Sequence, residues 1–317
     1  MGCTFPLIEW ADGGPASVKE LTTALRAHRN RYLQQATEHG AVLFTNTPLQ
    51  SFTDFDGALQ ALDLKNFPYR KSLSNAVRVN LTERVFTANE APPDTEIFFH
   101  HEMAQTPIFP GIILFYCEKA PERGGATPLC RSDWLFDRLQ DSCPAFIKAC
   151  EEKGLKYTSV MPSESDTTSS MGRSWKNTLN TKTRDQAETR LSELRYTWCW
   201  RGNGDLEVTS PPLPAVAEIA PGRKVFFNQL IAAFAGWKDD RNDPSKAIRH
   251  GDGSRLDIAA VKEAISIANE LTFDIAWKRG EFALIDNTVV MHARRTFTGE
   301  RRVLASLACM REQAFTL

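Results

Sequence analysis

The sequence lacks a run of apolar residues long enough to cross a bilayer, lacks an excess of charge of either sign, and lacks any C-x-x-C pair. The first absence argues against a helical membrane protein. The opening MGCTFPLIEWADGG has no basic segment leading into a long apolar stretch, so it does not read as a secretory signal and a cytoplasmic protein is expected. Met1-Gly2-Cys3 invites a lipidation reading, but Pro6 stands where the myristoylation pattern wants Ser or Thr, and an unmodified terminus is expected. The balance of 38 basic against 39 acidic residues leaves no electrostatic footprint for nucleic acid or an anionic membrane. A small-molecule partner is the better expectation, and a homo-oligomer is compatible with it. Seven cysteines, odd in number, argue against a disulfide framework and a zinc ribbon alike.

What is present is a core-forming composition, 42% hydrophobic and 10% aromatic. Residues 17–35 carry apolar positions at helical spacing and stop at Gly40, Ala41–Phe44 reads as a buried strand, and Ser51 caps a second helix reaching about Leu64. The polar stretch 67–90 reads as a rim or lid. Strand-like segments follow at Ile97–Glu102 and Ile112–Cys117. Helices are expected at 132–139, 144–154, 184–195 and 258–271, and the Ser/Thr-rich stretch 161–190 should contain a mobile loop. Short strands are expected at 195–208, 224–228, 281–286, 289–292 and 302–310. Strands dispersed around helical insertions suggest one distorted β-sandwich or barrel domain over 1–317, with a helical N-terminal part at about 15–65 and an insertion or lid at about 155–195.

The strongest chemical signal is Phe98-Phe99-His100-His101-Glu102. A His and a carboxylate two positions apart on an extended chain project from one face, so both can reach one metal. The third ligand must come from elsewhere. Of the six histidines, His28 and His39 sit in the helical N-terminal region and His250 in a charged loop, which leaves His292, at the end of a late strand-like segment. Two His and one carboxylate on one face of an octahedron leave open the positions that non-haem iron(II) oxygenases use. By itself, H-x-E is a weak pattern. His101, between two ligands, should face the other side and be structural.

Phe99-His100-His101-Glu102-Met103, the stretch Glu118 to Gly125-Ala-Thr127-Pro128, Asp286-Asn287 through His292, and Arg301-Arg302-Val303-Leu304 fall in the order found in the taurine dioxygenase and clavaminate synthase-like superfamily. With the Gly40–Phe44 strand and the helix after it, the resemblance covers nearly the whole chain. It implies a mainly β fold with α insertions, a double-stranded β-helix (jelly-roll, cupin-like) core flanked by helices. It also implies iron(II) on His100, Glu102 and His292, with Glu in place of the commoner Asp, and 2-oxoglutarate and dioxygen as co-substrates. Thr127 and Arg302 match the positions that hold the distal carboxylate of 2-oxoglutarate. A guanidinium fork suits that task, and strand alternation is read as placing Arg302 inside and Arg301 outside. Asp286-Asn287 reads as a turn positioning the His292 strand.

The implied activity is oxidation of an unactivated C–H bond by hydroxylation, desaturation or ring closure. The expected substrate is a small amino acid or a carrier-tethered aminoacyl group of specialised metabolism. Asn80, Phe99, Asn228, Arg294 and Ser306 are candidates for the substrate pocket. A zinc hydrolase using the same three ligands is the rival enzyme, and a non-catalytic binding protein of the same fold is the other alternative.

Overall fold

The computed structural model describes residues 4–242 and 246–313; the N-terminal Met1-Gly2-Cys3 signal lies outside them. Two antiparallel-rich sheets face each other. The major sheet has the order Leu7–Glu9, Ala41–Phe44, Phe282–Asp286, Ile108–Lys119, Arg302–Glu312, Phe86–Thr87, and the minor sheet the order Phe273–Ile275, Thr127–Arg131, Val290–Arg294, Ile97–His100. Neighbours in the sheets are distant in sequence: Phe282–Asp286 pairs with Ala41–Phe44 on one side and with Ile108–Lys119 on the other. The two facing sheets form the jelly-roll core.

The core is built on alternation. Leu43, Ile113, Phe115, Ala283, Ile285, Val303 and Ala305 point from the major sheet into the sandwich, where they meet Leu129, Val290 and Ile275 of the minor sheet. Their neighbours Val42, Phe44, Leu114, Tyr116, Phe282 and Leu304 point the other way. They pack on Leu21, Leu25, Tyr32 and Phe55 of the helices Val18–Ala27, Arg29–His39 and Phe52–Leu62. On the outer face of the minor sheet, Phe99, Cys130, Met291 and Ala293 pack on Leu135, Ile147, Leu230 and Val261 of the later helices. Both sheets are thus buried on both faces, and the central strands read as continuous apolar runs for that reason.

Local signals explain several boundaries. Ser51 accepts from Asp54 N while Asp54 reaches back to Ser51 N, a reciprocal cap that opens the Phe52–Leu62 helix. The single helix expected over 17–35 is two, Val18–Ala27 and Arg29–His39, broken at His28. The stretch 195–208 is a hairpin, Thr197–Trp200 with Leu206–Thr209, turning at Gly202 and Gly204. The Ser/Thr-rich segment after Met161 carries two helices, Trp175–Leu179 and Arg184–Glu193, with Trp175 and Leu179 buried in the main core. The strands Leu7–Glu9, Phe86–Thr87 and Leu155–Met161 have no counterpart in the sequence reading. Six cysteines in the described residues, Cys117, Cys130, Cys143, Cys150, Cys199 and Cys309, are free. No helix of the described residues is long and apolar enough to cross a membrane.

Candidate active site

The minor sheet brings the two histidines together. Val290–Arg294 runs antiparallel to Ile97–His100 with His292 opposite His100, and the two imidazole centroids are 4.3 Å apart. Glu102 arrives differently from the alternation expected of it. The strand ends at His100, and a turn brings Glu102 Oε2 to 3.7 Å from His292 Nε2. Asn287 fastens that turn: its Oδ1 accepts from Glu102 N at 2.7 Å, and its Nδ2 donates to the carbonyls of Glu102 and Pro110. Met103 follows with φ +61°, a left-handed residue closing the turn. Asn287, expected as a positioning turn for the His292 strand, acts on the Glu102 turn as well.

The donor atoms of His100, Glu102 and His292 lie within 4.8 Å of one another. Cis ligands of an octahedral ion stand about 3 Å apart, so the set surrounds a common centre and closes with small side-chain adjustments. His100 Nδ1 meets the Phe98 carbonyl at 2.7 Å, which fixes the tautomer and turns Nε2 toward the centre. Burial lowers the pKa of His100 and takes that of His292 well below its ordinary value, with the neighbouring His100 and Arg78 pushing His292 the same way. Both imidazoles are therefore neutral at neutral pH, the form a metal needs. Two imidazoles and one carboxylate, buried and aimed at one point, fit a divalent cation.

His101 faces away, as expected. Its Nδ1 is 2.6 Å from the Asn287 carbonyl, its ring packs on Phe227, and burial takes its pKa down to about 3.

Two clefts meet at His100 and Arg78. The first, about 450 Å³, has Thr127, Phe115, His292, Arg294 and Arg301 in its wall. Thr127 Oγ1 accepts from Trp277 Nε1 at 2.8 Å and from Arg301 Nη2 at 3.2 Å. Arg301 also donates through Nε to the Gly125 carbonyl. Gly125 has φ +66°, and a side-chain carbon there would come within 3.0 Å of Arg301 Cδ, so this turn is glycine by both backbone and space. Burial brings the Arg301 guanidinium down to about 10, and Arg294 pushes it the same way.

Arg302 is on the other face. It is 43% exposed and pairs with Glu118 at 2.8 Å. The expectation that Arg302 lies inside and Arg301 outside is thus reversed. Val303 points into the sandwich and Leu304 toward the helices, so parity puts Arg301 with Val303 and Arg302 with Leu304. A register shift between Arg302 and Val303 marks where the strand departs from regular pairing.

Most residues expected to line a substrate pocket have other duties. Asn80 is exposed and borders a separate surface depression with Pro68, Arg70, Thr82 and Glu83. Phe99 packs on the helices beyond the minor sheet, since it has the opposite parity to His100; Phe98 takes the place in the cleft. Asn228 is a buried turn residue, donating to the Ala215 carbonyl and accepting from Leu230 N. Ser306 shares its parity with Leu304 and faces the helices. Arg294 reaches the wall of the first cleft, but its Nη atoms are taken by the carbonyls of Asn89, Ala91, Pro92 and Thr95, so it holds the loop 89–95.

The second cleft, about 500 Å³, was not legible in the sequence. Phe98, His100, Glu102, Gln105, Met171 and Trp237 line it, together with Arg78. Arg78 forms a buried ion pair with Glu102 at 3.0 Å. It is one of several basic residues in the polar stretch 67–90, and no periodicity separates it from the others.

A sequence profile of the family described as "Taurine catabolism dioxygenase TauD, TfdA family" matches residues 11–307. A clavaminate synthase-like protein of Arabidopsis thaliana is 41% identical over 295 residues, covering 92% of this chain and 89% of its own. The dapdiamide synthesis protein DdaC of Enterobacter agglomerans is 26% identical over 287 residues, covering 86% and 82%. Among solved structures, a taurine dioxygenase from Burkholderia xenovorans superposes with a TM-score of 0.51 at 13% identity, over 91% of this chain and 82% of that one. AAD-2 in complex with Mn(II) and N-oxalylglycine gives 0.50 at 14% identity, over 91% and 89%. The fold, the sequence match along nearly the whole chain and the His-Glu-His cluster agree, and the chain belongs to the TauD, TfdA family, whose enzymes are iron(II)- and 2-oxoglutarate-dependent dioxygenases.

Proposed function

We propose that this dioxygenase oxidises an unactivated C–H bond of a small amino acid or amino-acid-derived metabolite. The observation that carries the reading is that two members of the His100, Glu102, His292 cluster, His100 and His292, share one cleft with the Arg301–Thr127 pair. Iron(II) on the three ligands, with 2-oxoglutarate and dioxygen, would supply the oxidising power, the keto acid leaving as succinate and carbon dioxide. The protein's share is binding, orientation and exclusion of water. Asn287 and the Phe98 carbonyl hold Glu102 and His100 in place. Arg301 and Thr127, rather than Arg302, are assigned to the distal carboxylate of 2-oxoglutarate. An anion there would relieve the repulsion between Arg301 and Arg294. Phe115 sets its ring edge against His292, with centroids 5.1 Å apart, and keeps that side of the site apolar.

The relative named for dapdiamide synthesis supports a substrate from specialised biosynthesis. A zinc hydrolase would leave the buried Arg301–Thr127 pair without a task, and family membership weighs against it. The test is anaerobic addition of iron(II) and 2-oxoglutarate to the purified protein. A weak visible charge-transfer band is expected, followed by succinate release when oxygen and an amino acid substrate are supplied. A protein that gives neither the band nor 2-oxoglutarate binding does not perform this chemistry.

A further inference from the structure

Arg78 is a buried cation with more donors than partners. Its side chain is 6% exposed, and Nη2 donates to the two Glu102 oxygens at 3.0 and 3.3 Å. The guanidinium lies over Tyr69 and Phe86, with Cζ 5.0 and 5.4 Å from the ring centroids. Nε and Nη1 are buried with no hydrogen-bond partner. A buried charged donor without an acceptor is costly, and folded proteins keep few of them. In the same cleft, Gln105 Oε1 is also buried and unpartnered. A divalent ion among the three ligands would draw on the charge of Glu102, leaving Arg78 with less compensation than it has here.

We propose that Arg78 anchors a free carboxylate of the substrate, and that the substrate class is small α-amino acids, with the Gln105 carbonyl oxygen receiving the ammonium group. This deepens the oxygenase reading above and rests on it. One guanidinium then does two things: Nη2 steadies Glu102, and the remaining donors hold the substrate beside it. Thr127 and Arg301 line only the other cleft and Gln105 only this one, while Arg78 and His100 stand where the two meet, so the co-substrate carboxylate has Arg301 to itself and the substrate carboxylate is given to the free donors of Arg78 on the Gln105 side. A carrier-tethered aminoacyl group has no free carboxylate to offer and is disfavoured.

The test uses the full-length protein loaded with Mn(II) and 2-oxoglutarate, with thermal shift and then calorimetry against the free L-amino acids and their carboxamides. Those amino acids that bind should do so at least about tenfold more tightly than their amides. Arg78→Met should abolish this preference in protein that still binds Mn(II) and 2-oxoglutarate, with both titrated alongside because Nη2 also bonds Glu102. Arg78→Lys keeps a charge beside Glu102 but loses the fork; it should retain the metal and weaken amino acid binding about tenfold, and it decides the matter if Arg78→Met does not fold. Wild-type protein that binds amides as well as acids, or binds no free amino acid, overturns the assignment. So does an Arg78 variant that keeps the preference for acids, or one that folds and loses Mn(II), since Arg78 would then act only on Glu102. Wild-type protein that binds neither Mn(II) nor 2-oxoglutarate sinks the oxygenase reading and this inference with it.

Discussion

Arg301 and Arg302 are adjacent, identical in chemistry and opposite in environment. Arg301 is half-buried, bonded to Thr127 and Gly125, and shares a cleft with His100 and His292; Arg302 meets solvent and Glu118. The difference gives a direct expectation. With Mn(II) present, Arg301→Gln should weaken 2-oxoglutarate binding by about ten- to a hundredfold, the loss of a charge-assisted contact to a carboxylate, whereas Arg302→Gln should stay near wild type. Calorimetric titration of 2-oxoglutarate decides it, and equal losses in both variants would count against the assignment. The candidate metal-binding set was legible because histidine is scarce here and His100 and Glu102 are two residues apart. Asn287 shows the limit of that legibility: a turn was expected at its position, but its bonds to Glu102 join residues 185 apart in sequence.

At the scale of elements, the minor sheet is locked to its helices by charge as well as by packing. Asp133, in the first turn of the Ser132–Ser142 helix, accepts from Arg131 on the sheet and from Arg223. Burial would raise the Asp133 pKa, but the hydrogen bonds and charges of Arg131 and then Arg223 outweigh it and hold the carboxyl below the usual range. Asp133→Ala removes the buried carboxylate on which Arg131 and Arg223 converge, and should destabilise the protein by about 3–5 kcal/mol in urea unfolding. A loss under about 1 kcal/mol would mean that the cluster is solvent-screened. Helix positions were read well from the sequence, because caps and 3.6-residue periodicity are local. Short strands such as Leu7–Glu9 and Phe86–Thr87 escaped, since they are held by pairing with Ala41–Phe44 and Arg302–Glu312 and by little of their own.

For the whole molecule, the buried histidines make stability depend on pH. His101 has a folded pKa lowered to about 3, whereas an unfolded histidine titrates near 6.5. The unfolded chain therefore takes up a proton that the folded chain refuses. The stabilisation is complete above about pH 6.5 and is lost progressively as the pH falls toward 3, by up to about 1.4 kcal/mol per unit for this residue. Buried neutral His100 and His292 act in the same direction in metal-free protein. Metal-free protein should accordingly unfold at lower urea at pH 5 than at pH 7, and His101→Gln should show a shallower slope. A slope unchanged in that variant would contradict the assignment of a neutral buried imidazole.

The sequence by itself determined the candidate His-Glu-His set, the order of the motifs, the family resemblance and most helices, because each is written in residue identity, short spacing or local periodicity. The tertiary structure decided which arginine faces the cleft beside His292 and which polar residues merely hold turns. It also decided that Arg78 stands beside Glu102. The reason is physical: strands buried on both faces carry no polar alternation to read, and the partners of a buried charge are fixed by chain segments that meet only when the two sheets close.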